Sequence, residues 1–146
     1  MSLPLAYIDT SALVKRFISE VHTPAMETFI ADNTHRLMVS SLSLVELSSV
    51  LKRKLRTGEV AHKLVGLVNE QLRMELASKA MALHVIEPST FDLASSLIER
   101  LASPLATVEA IHLASAKIAQ CSTMVSADKQ LVKAAQELGL QVLDLT

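Results

Sequence analysis

The stretch LPLAYIDTSALVKRFI, residues 3–18, contains the pattern that decides the fold. Its first six residues form the continuous apolar run of a buried strand, and the run that follows Thr10 is typical of a helix. Asp9 lies at the junction between the two. Because ligands of open α/β sheets bind outside the carboxyl ends of the strands, Asp9 is predicted to lie at a ligand site.

The same alternation of short apolar runs and helical segments continues along the chain. The predicted strands are residues 3–8, 36–40, 83–86, 123–126 and 141–145, and the predicted helices cover 11–19, 23–31, 43–57, 59–81, 88–104, 105–120 and 128–138. Strands that alternate with helices require a parallel sheet that is covered on both faces. We therefore predict an α/β fold with a parallel five-stranded sheet flanked by helices.

The composition favours one globular domain over residues 1–146. Half of the residues are hydrophobic and only three are glycine, which argues against disorder and favours a helix-rich globule. No apolar run approaches the roughly 18 residues that a membrane span needs. The single cysteine, Cys121, permits no internal disulfide, which favours a reducing compartment and hence the cytoplasm.

Three further acids stand in positions as unusual as that of Asp9. Glu46 and Glu109 lie within apolar helical segments, and Asp128 follows the short strand TMVSA. Two carboxylates about 4 Å apart repel by roughly 4 kcal/mol at an effective dielectric near 20. Four of them brought together require a divalent cation or protonation, and hard oxygen ligands select Mg²⁺ or Mn²⁺ over zinc. The pattern therefore predicts a metal site that activates water for phosphodiester cleavage.

Asp9 and Asp128 also have a structural interpretation, because aspartate is a favoured N-cap and each precedes a predicted helix. Ser11 and Ser126 are close enough along the chain to cap those helices instead. Capping by the serines would leave the aspartates free for a ligand, and the sequence is compatible with either pair of residues as the caps.

Glu46 and Glu109 have ion pairs as their structural alternatives. Each lies among apolar and small helical neighbours, where an unpaired charge is costly. Arg53, two turns beyond Glu46, and His112, one turn beyond Glu109, are the candidate partners. His112 itself is interpreted as a packed, hydrogen-bonded residue rather than a catalytic one. The metal interpretation depends on the joint occurrence of four acids.

Four segments together resemble the PIN domain, and most closely the VapC-type toxins of bacterial and archaeal toxin–antitoxin pairs. The segments are YIDTSALVK, SSLSLVEL, LATVEAIHLASA and VSADKQLVKAA, in the family's order and approximate spacing. The resemblance implies a PIN-like three-layer α/β/α fold and a Mg²⁺- or Mn²⁺-dependent ribonuclease. It also implies a homodimer and a small cognate antitoxin that blocks the active site.

The resemblance also implies roles for individual residues. The family's four acids match Asp9, Glu46, Glu109 and Asp128, and its supporting polar residues match Ser11 and Ser126. The third acid is usually an aspartate in this family. The extra methylene of Glu109 displaces a ligand oxygen by about 1 Å, which matters to a metal that demands near-ideal octahedral geometry.

A basic cluster follows Glu46 on the same predicted helix. Its members are Lys52, Arg53, Lys54 and Arg56. The cluster is predicted either to bind RNA phosphates or to be a solvated helix end. If four of the 15 acids bind a metal, 14 basic residues face the remaining 11, which favours a polyanionic substrate. Aromatic residues make up only 3% of the chain, so RNA is expected to be held by its backbone and shape.

Two other functions are compatible with the predicted fold. One is a catalytically weak PIN-fold module that binds RNA or an antitoxin, and the departure at Glu109 motivates it. The other is a phosphoryl-transfer domain, which fits less well because a haloacid-dehalogenase-like phosphatase has a second aspartate where this chain has Ser11. The predicted helix 59–81 is equally compatible with core packing, a dimer contact and an antitoxin groove.

Overall fold

The computed structural model describes residues 2–146. In that range the five strands are β1 Leu5–Ile8, β2 Arg36–Ser40, β3 Met81–His84, β4 Thr123–Ser126 and β5 Gln141–Asp144. They form one sheet in the order β3-β2-β1-β4-β5, and every neighbouring pair is parallel. The prediction of a parallel five-stranded sheet is confirmed.

Seven helices lie within the same range. They are α1 Thr10–Phe17, α2 Thr23–Ala31, α3 Ser41–Arg56, α4 His62–Ala77, α5 Pro88–Arg100, α6 Thr107–Ile118 and α7 Lys129–Glu137. Successive residues of a strand point to opposite faces of the sheet. Ala6 and Ile8 accordingly pack in a core with α1 to α4, whereas Tyr7 packs in a second core with α5 to α7. The fold is a three-layer α/β/α arrangement.

The ends of the elements differ from the sequence prediction by up to four residues. The helix predicted for 59–81 is α4, which ends at Ala77 because Lys79 adopts a left-handed conformation with a φ of 62°. The strand predicted for 83–86 begins at Met81, since Met81 pairs with Leu37 of β2. Within residues 2–146, every helix is too short or too polar to cross a bilayer.

The strand order changes direction beside β1, and this determines where a ligand binds. β2 and β3 lie on one side of β1, whereas β4 and β5 lie on the other. Ligands of α/β sheets bind at such a switch point, outside the carboxyl ends of the strands. Asp9 directly follows β1, and Asp128 lies two residues beyond β4. Both aspartates are therefore at the switch point.

Candidate active site

Asp9 is almost fully buried between the end of β1 and the start of α1. Its Oδ1 accepts hydrogen bonds from Ser11 Oγ at 2.7 Å and from the backbone N–H of Ala12 at 3.0 Å. Its Oδ2 accepts a hydrogen bond from Ser126 Oγ at 2.7 Å. Burial raises the pKa of Asp9, and these three donors offset that rise only in part. The carboxylate is held in place where its charge is disfavoured.

Of the two pairs of candidate caps that the sequence offers, the structure uses the aspartates rather than Ser11 and Ser126. Asp9 caps α1, and Asp128 caps α7 by accepting two backbone hydrogen bonds at 2.9 and 3.1 Å. An ionised carboxylate forms stronger, charge-assisted bonds to these N–H groups than a hydroxyl does. Each aspartate caps through Oδ1 alone, so capping leaves its second oxygen available for other contacts.

Ser11 and Ser126 instead tie the two loops of the switch point together. Ser11 Oγ accepts a hydrogen bond from the backbone N–H of Ala127 at 2.9 Å while it donates to Asp9. Ser126 Oγ accepts from the backbone N–H of Asp128 at 2.9 Å while it also donates to Asp9. The loop after β1 and the loop after β4 are therefore cross-linked through the Asp9 carboxylate.

Glu46 lies on α3, and its carboxylate reaches two other elements. Its Oε1 accepts a hydrogen bond from Thr10 Oγ1 at 2.7 Å and forms a second one with His112 Nε2. Burial disfavours the charged form, but the hydrogen bonds to His112 and Thr10 outweigh it and lower the pKa of Glu46. Neither ion pair considered from the sequence occurs within residues 2–146, since His112 pairs with Glu46 rather than Glu109 and Arg53 pairs with neither.

Glu109 lies in the first turn of α6, and one of its oxygens has no donor. Oε1 accepts a hydrogen bond from the backbone N–H of Ala106 at 3.0 Å. Oε2 is buried without a hydrogen-bond partner among residues 2–146. Burial raises the pKa of Glu109, the Ala106 bond opposes that rise, and the nearby carboxylates of Asp128 and Asp9 add to it. A cation at this position would relieve both the repulsion and the missing contact.

The four acids fit a hard divalent cation in their chemistry. They supply carboxylate oxygens, and the unpartnered Oε2 of Glu109 is an oxygen that a cation would satisfy. In the described part of the chain, however, no three Asp, Glu, His or Cys side chains are grouped as a metal site requires. Asp9 and Glu46 engage protein donors, and Asp128 caps a helix. That all four acids bind the metal therefore stays a prediction.

A cleft of about 340 Å³ opens beside Glu46 and carries part of the predicted basic cluster. Arg53 and Lys54 line it, whereas Lys52 and Arg56 are exposed on α3 and do not. Lys54 forms salt bridges of 3.1 Å with Glu20 and 3.0 Å with Glu59. The cleft therefore combines an acidic group of the candidate site with two cations from the same helix.

Sequence reasoning missed Thr10 and Tyr7 and assigned His112 only a packing role. Thr10 donates to Glu46, and the Tyr7 hydroxyl forms a 2.6 Å hydrogen bond with His112 Nδ1. The signal for Tyr7 is a hydroxyl-bearing residue in the middle of an apolar strand, where a polar group needs a partner. The signal for Thr10 is its position directly after Asp9.

Comparisons with known sequences are consistent with this geometry. A family model for the PIN domain matches residues 6–137. The chain is also similar to ribonuclease VapC35 of Mycobacterium tuberculosis, with 28% identity over 144 residues that cover 95% of this chain and 96% of that protein.

Solved structures share the fold at low sequence identity. VapC20 of Mycobacterium tuberculosis, described as a sarcin-ricin loop cleaving toxin, has a TM-score of 0.70 with 14% identity and covers 88% of this chain and 94% of its own. A toxin–antitoxin complex from Klebsiella pneumoniae has a TM-score of 0.67 with 14% identity, and the match covers 97% of this chain and 98% of the chain in that structure. VapBC2 from Rickettsia felis, bound to a promoter DNA fragment, has a TM-score of 0.64 with 14% identity, and the match covers 96% of this chain and 98% of the chain in that structure.

The resemblance to the PIN domain predicted from four sequence segments is confirmed. The matched region, residues 6–137, extends from β1 to the end of α7 and includes all four acids, Ser11 and Ser126. Together with the parallel sheet and the acids at its switch point, this match means that the chain belongs to the PIN domain family.

Proposed function

We propose that this protein is an endoribonuclease that hydrolyses RNA phosphodiester bonds with the aid of Mg²⁺ or Mn²⁺. The observation that carries the proposal is the position of Asp9, Glu109 and Asp128 at the switch point of a PIN-domain sheet, close enough for their charges to interact. The similarity to ribonuclease VapC35 along 95% of the chain supports the same reaction.

Four residues hold the metal ion in this proposal, all through carboxylate oxygens: Asp9, Glu46, Glu109 and Asp128. When bound, the ion activates a water molecule for attack on the phosphorus and stabilises the charge that develops on the phosphate. The protein's part is to hold these oxygens in position before RNA arrives. Ser11 and Ser126 orient Asp9, and Thr10 orients Glu46.

RNA phosphates bind in the cleft beside Glu46 in this proposal. Arg53 forms no salt bridge within residues 2–146, and a guanidinium binds a phosphate through two parallel hydrogen bonds. Lys54 is already paired with two acids, so Arg53 makes the larger contribution. Lys52 and Arg56 strengthen the positive field around the cleft without lining it.

Replacement of Arg53 by alanine tests this assignment. We expect the affinity for single-stranded RNA to fall about fivefold, since one phosphate contact contributes about 1 kcal/mol. The slope of log affinity against log salt should decrease by about 0.7, the value for one phosphate of a single strand. Fluorescence anisotropy measures both the affinity and its salt dependence, and a chelator in the buffer prevents cleavage of the RNA during the measurement. Arg100→Ala removes the same charge from α5 on the other side of the sheet, and an equal loss of affinity there would contradict a phosphate site in the cleft.

The proposal includes an antitoxin partner, a homodimer and a cytoplasmic location. Solved relatives with this fold include a toxin–antitoxin complex and VapBC2. Large apolar side chains are exposed on α3 and α4, among them Val45, Leu67 and Met74, which suits a partner protein. The cysteine, Cys121, is free and buried, in keeping with a reducing compartment.

The function itself is tested by incubating the purified protein with RNA under three conditions. We expect cleavage with Mg²⁺ and with Mn²⁺, and none in EDTA, because the carboxylates alone do not activate water. Mapping of the cleaved ends then gives the preferred sequence or structure. Intact RNA with both ions, from protein that is folded by circular dichroism, would contradict the proposal.

A catalytically weak module that binds RNA or an antitoxin is a second candidate, and one observation favours it. In the described part of the chain, the side chains of the acids are not grouped as a metal site requires. The two candidates differ in whether the protein takes up Mn²⁺. Isothermal titration calorimetry that detects tight RNA or antitoxin binding but no Mn²⁺ binding would favour the module over the enzyme.

A further inference from the structure

A chain of buried hydrogen bonds connects β2, β1 and α6 and ends at Glu46. The Tyr7 hydroxyl donates to Ser40 Oγ at 2.9 Å and is 2.6 Å from His112 Nδ1. The other ring nitrogen of His112, Nε2, is hydrogen-bonded to Glu46 Oε1. Tyr7 and Ser40 have no exposed surface, and His112 has only 3%. The imidazole is thus held at both nitrogens by side chains from different elements, so it cannot turn without losing both bonds.

The two oxygens of Glu46 have different surroundings as a result. Oε1 accepts a hydrogen bond from Thr10 Oγ1 and forms another with His112 Nε2, and these two bonds use both lone pairs of Oε1. Oε2 makes no hydrogen bond within residues 2–146, although Glu46 lines the cleft that also contains Arg53. A carboxylate with one oxygen saturated and the other free offers a single ligand atom in a fixed direction.

We propose that His112 is a positioning residue, which Tyr7 and Ser40 lock so that Glu46 presents Oε2 to the metal ion. The inference rests on the proposed metal-dependent function. Groups that orient a metal ligand change metal affinity about tenfold to a hundredfold when they are removed.

A purely structural role for His112 is the competing interpretation. It predicts that loss of the imidazole lowers the stability of the protein, because buried partners lose their hydrogen bonds. It also predicts that protein which remains folded binds metal as well as the wild type. The affinity for Mn²⁺ therefore separates the two interpretations, whereas stability does not.

Isothermal titration calorimetry with Mn²⁺ on the full chain tests the proposal. Tyr7→Phe removes one oxygen and keeps the ring, and His112→Leu removes both nitrogens. Each should weaken Mn²⁺ binding by about tenfold to a hundredfold. His112→Gln should retain more affinity than His112→Leu, because its amide can still donate to Glu46. Met81→Leu, a buried change of similar volume at the amino end of β3, should bind Mn²⁺ like the wild type.

The possible results separate a failure of the positioning role of His112 from a failure of the proposed metal site. Folded Tyr7→Phe protein whose Mn²⁺ affinity lies within about twofold of the wild type overturns the positioning role, even if His112→Leu does not fold. Glu46→Gln shows whether Glu46 is a metal ligand. If it is, the substitution should abolish or greatly weaken Mn²⁺ binding. Wild-type protein that binds no Mn²⁺, or Glu46→Gln protein that binds it equally well, overturns the metal assignment and the positioning role together.

Discussion

Asp9→Asn should abolish RNA cleavage and leave the protein folded. Asp9 is the acid that both loops of the switch point hold in place, through Ser11 and Ser126. Asparagine has the same shape without the charge, so it is a much weaker ligand for a hard cation. A bound metal contributes several kcal/mol to stabilisation of the transition state. We therefore expect kcat/KM to fall by roughly a thousandfold or more.

Asparagine is expected to be tolerated at position 9 because burial already disfavours the charge of Asp9. Its carbonyl oxygen can accept from Ser11, and its amide can donate to Ser126 Oγ. The unfolding midpoint in EDTA should therefore be at least that of the wild type. Asp32→Asn, at an exposed aspartate that follows α2, is the matched control and should cleave RNA normally. Cleavage by Asp9→Asn protein at more than about a tenth of the wild-type rate would contradict the assignment.

Glu109→Gln is expected to act in opposite directions on catalysis and on stability. It removes one proposed metal ligand, so the cleavage rate should fall about a hundredfold. It also removes a buried charge that lies near Asp128 and Asp9. The free energy of unfolding in EDTA should therefore rise relative to the wild type. Urea denaturation and RNA cleavage, measured on the same preparations, test both effects.

The stability effect of Glu109→Gln should depend on pH in a defined direction. Burial and nearby carboxylates raise the pKa of Glu109 above its ordinary 4.5, so the folded state binds more protons than the unfolded state just above that pH. The free energy of unfolding of the wild type therefore falls as pH rises from 4.5 through the folded pKa. Glutamine does not titrate, so the advantage of the variant should grow over this range. The control Glu99→Gln, at an exposed position on α5, should show no such change, and an advantage independent of pH would contradict the raised pKa of Glu109.

The positions of Asp9 and Asp128 could be predicted from the sequence because they follow from local patterns. Each comes after a short apolar strand, and parallel strands bring their carboxyl ends to the same edge of a sheet. The choice between Asp9 and Ser11 as the cap of α1 could not be predicted. That choice depends on where Ser11 finds its second partner, the backbone of Ala127, which is 116 residues away along the chain.

The hydrogen-bond partners of His112 could not be predicted from the sequence. Helical spacing reveals only neighbours three and four residues away, so the sequence indicates Glu109 as the candidate partner of His112. The packing of α6 against the sheet instead brings His112 to Tyr7, 105 residues away, and to Glu46, 66 residues away. Long-range contacts of this kind are set by how layers pack, so four acids could be found by motif while the residues that orient them could not.

Carboxylates from four separate segments of the chain form one binding site for a divalent cation in the proposed function. Anomalous diffraction from crystals grown with Mn²⁺ tests it most directly. We predict a manganese peak at the carboxyl ends of β1 and β4, coordinated by Asp9, Glu46, Glu109 and Asp128 directly or through one water molecule. A manganese peak at another place, or no peak beside these four carboxylates at saturating Mn²⁺, would contradict a shared metal site.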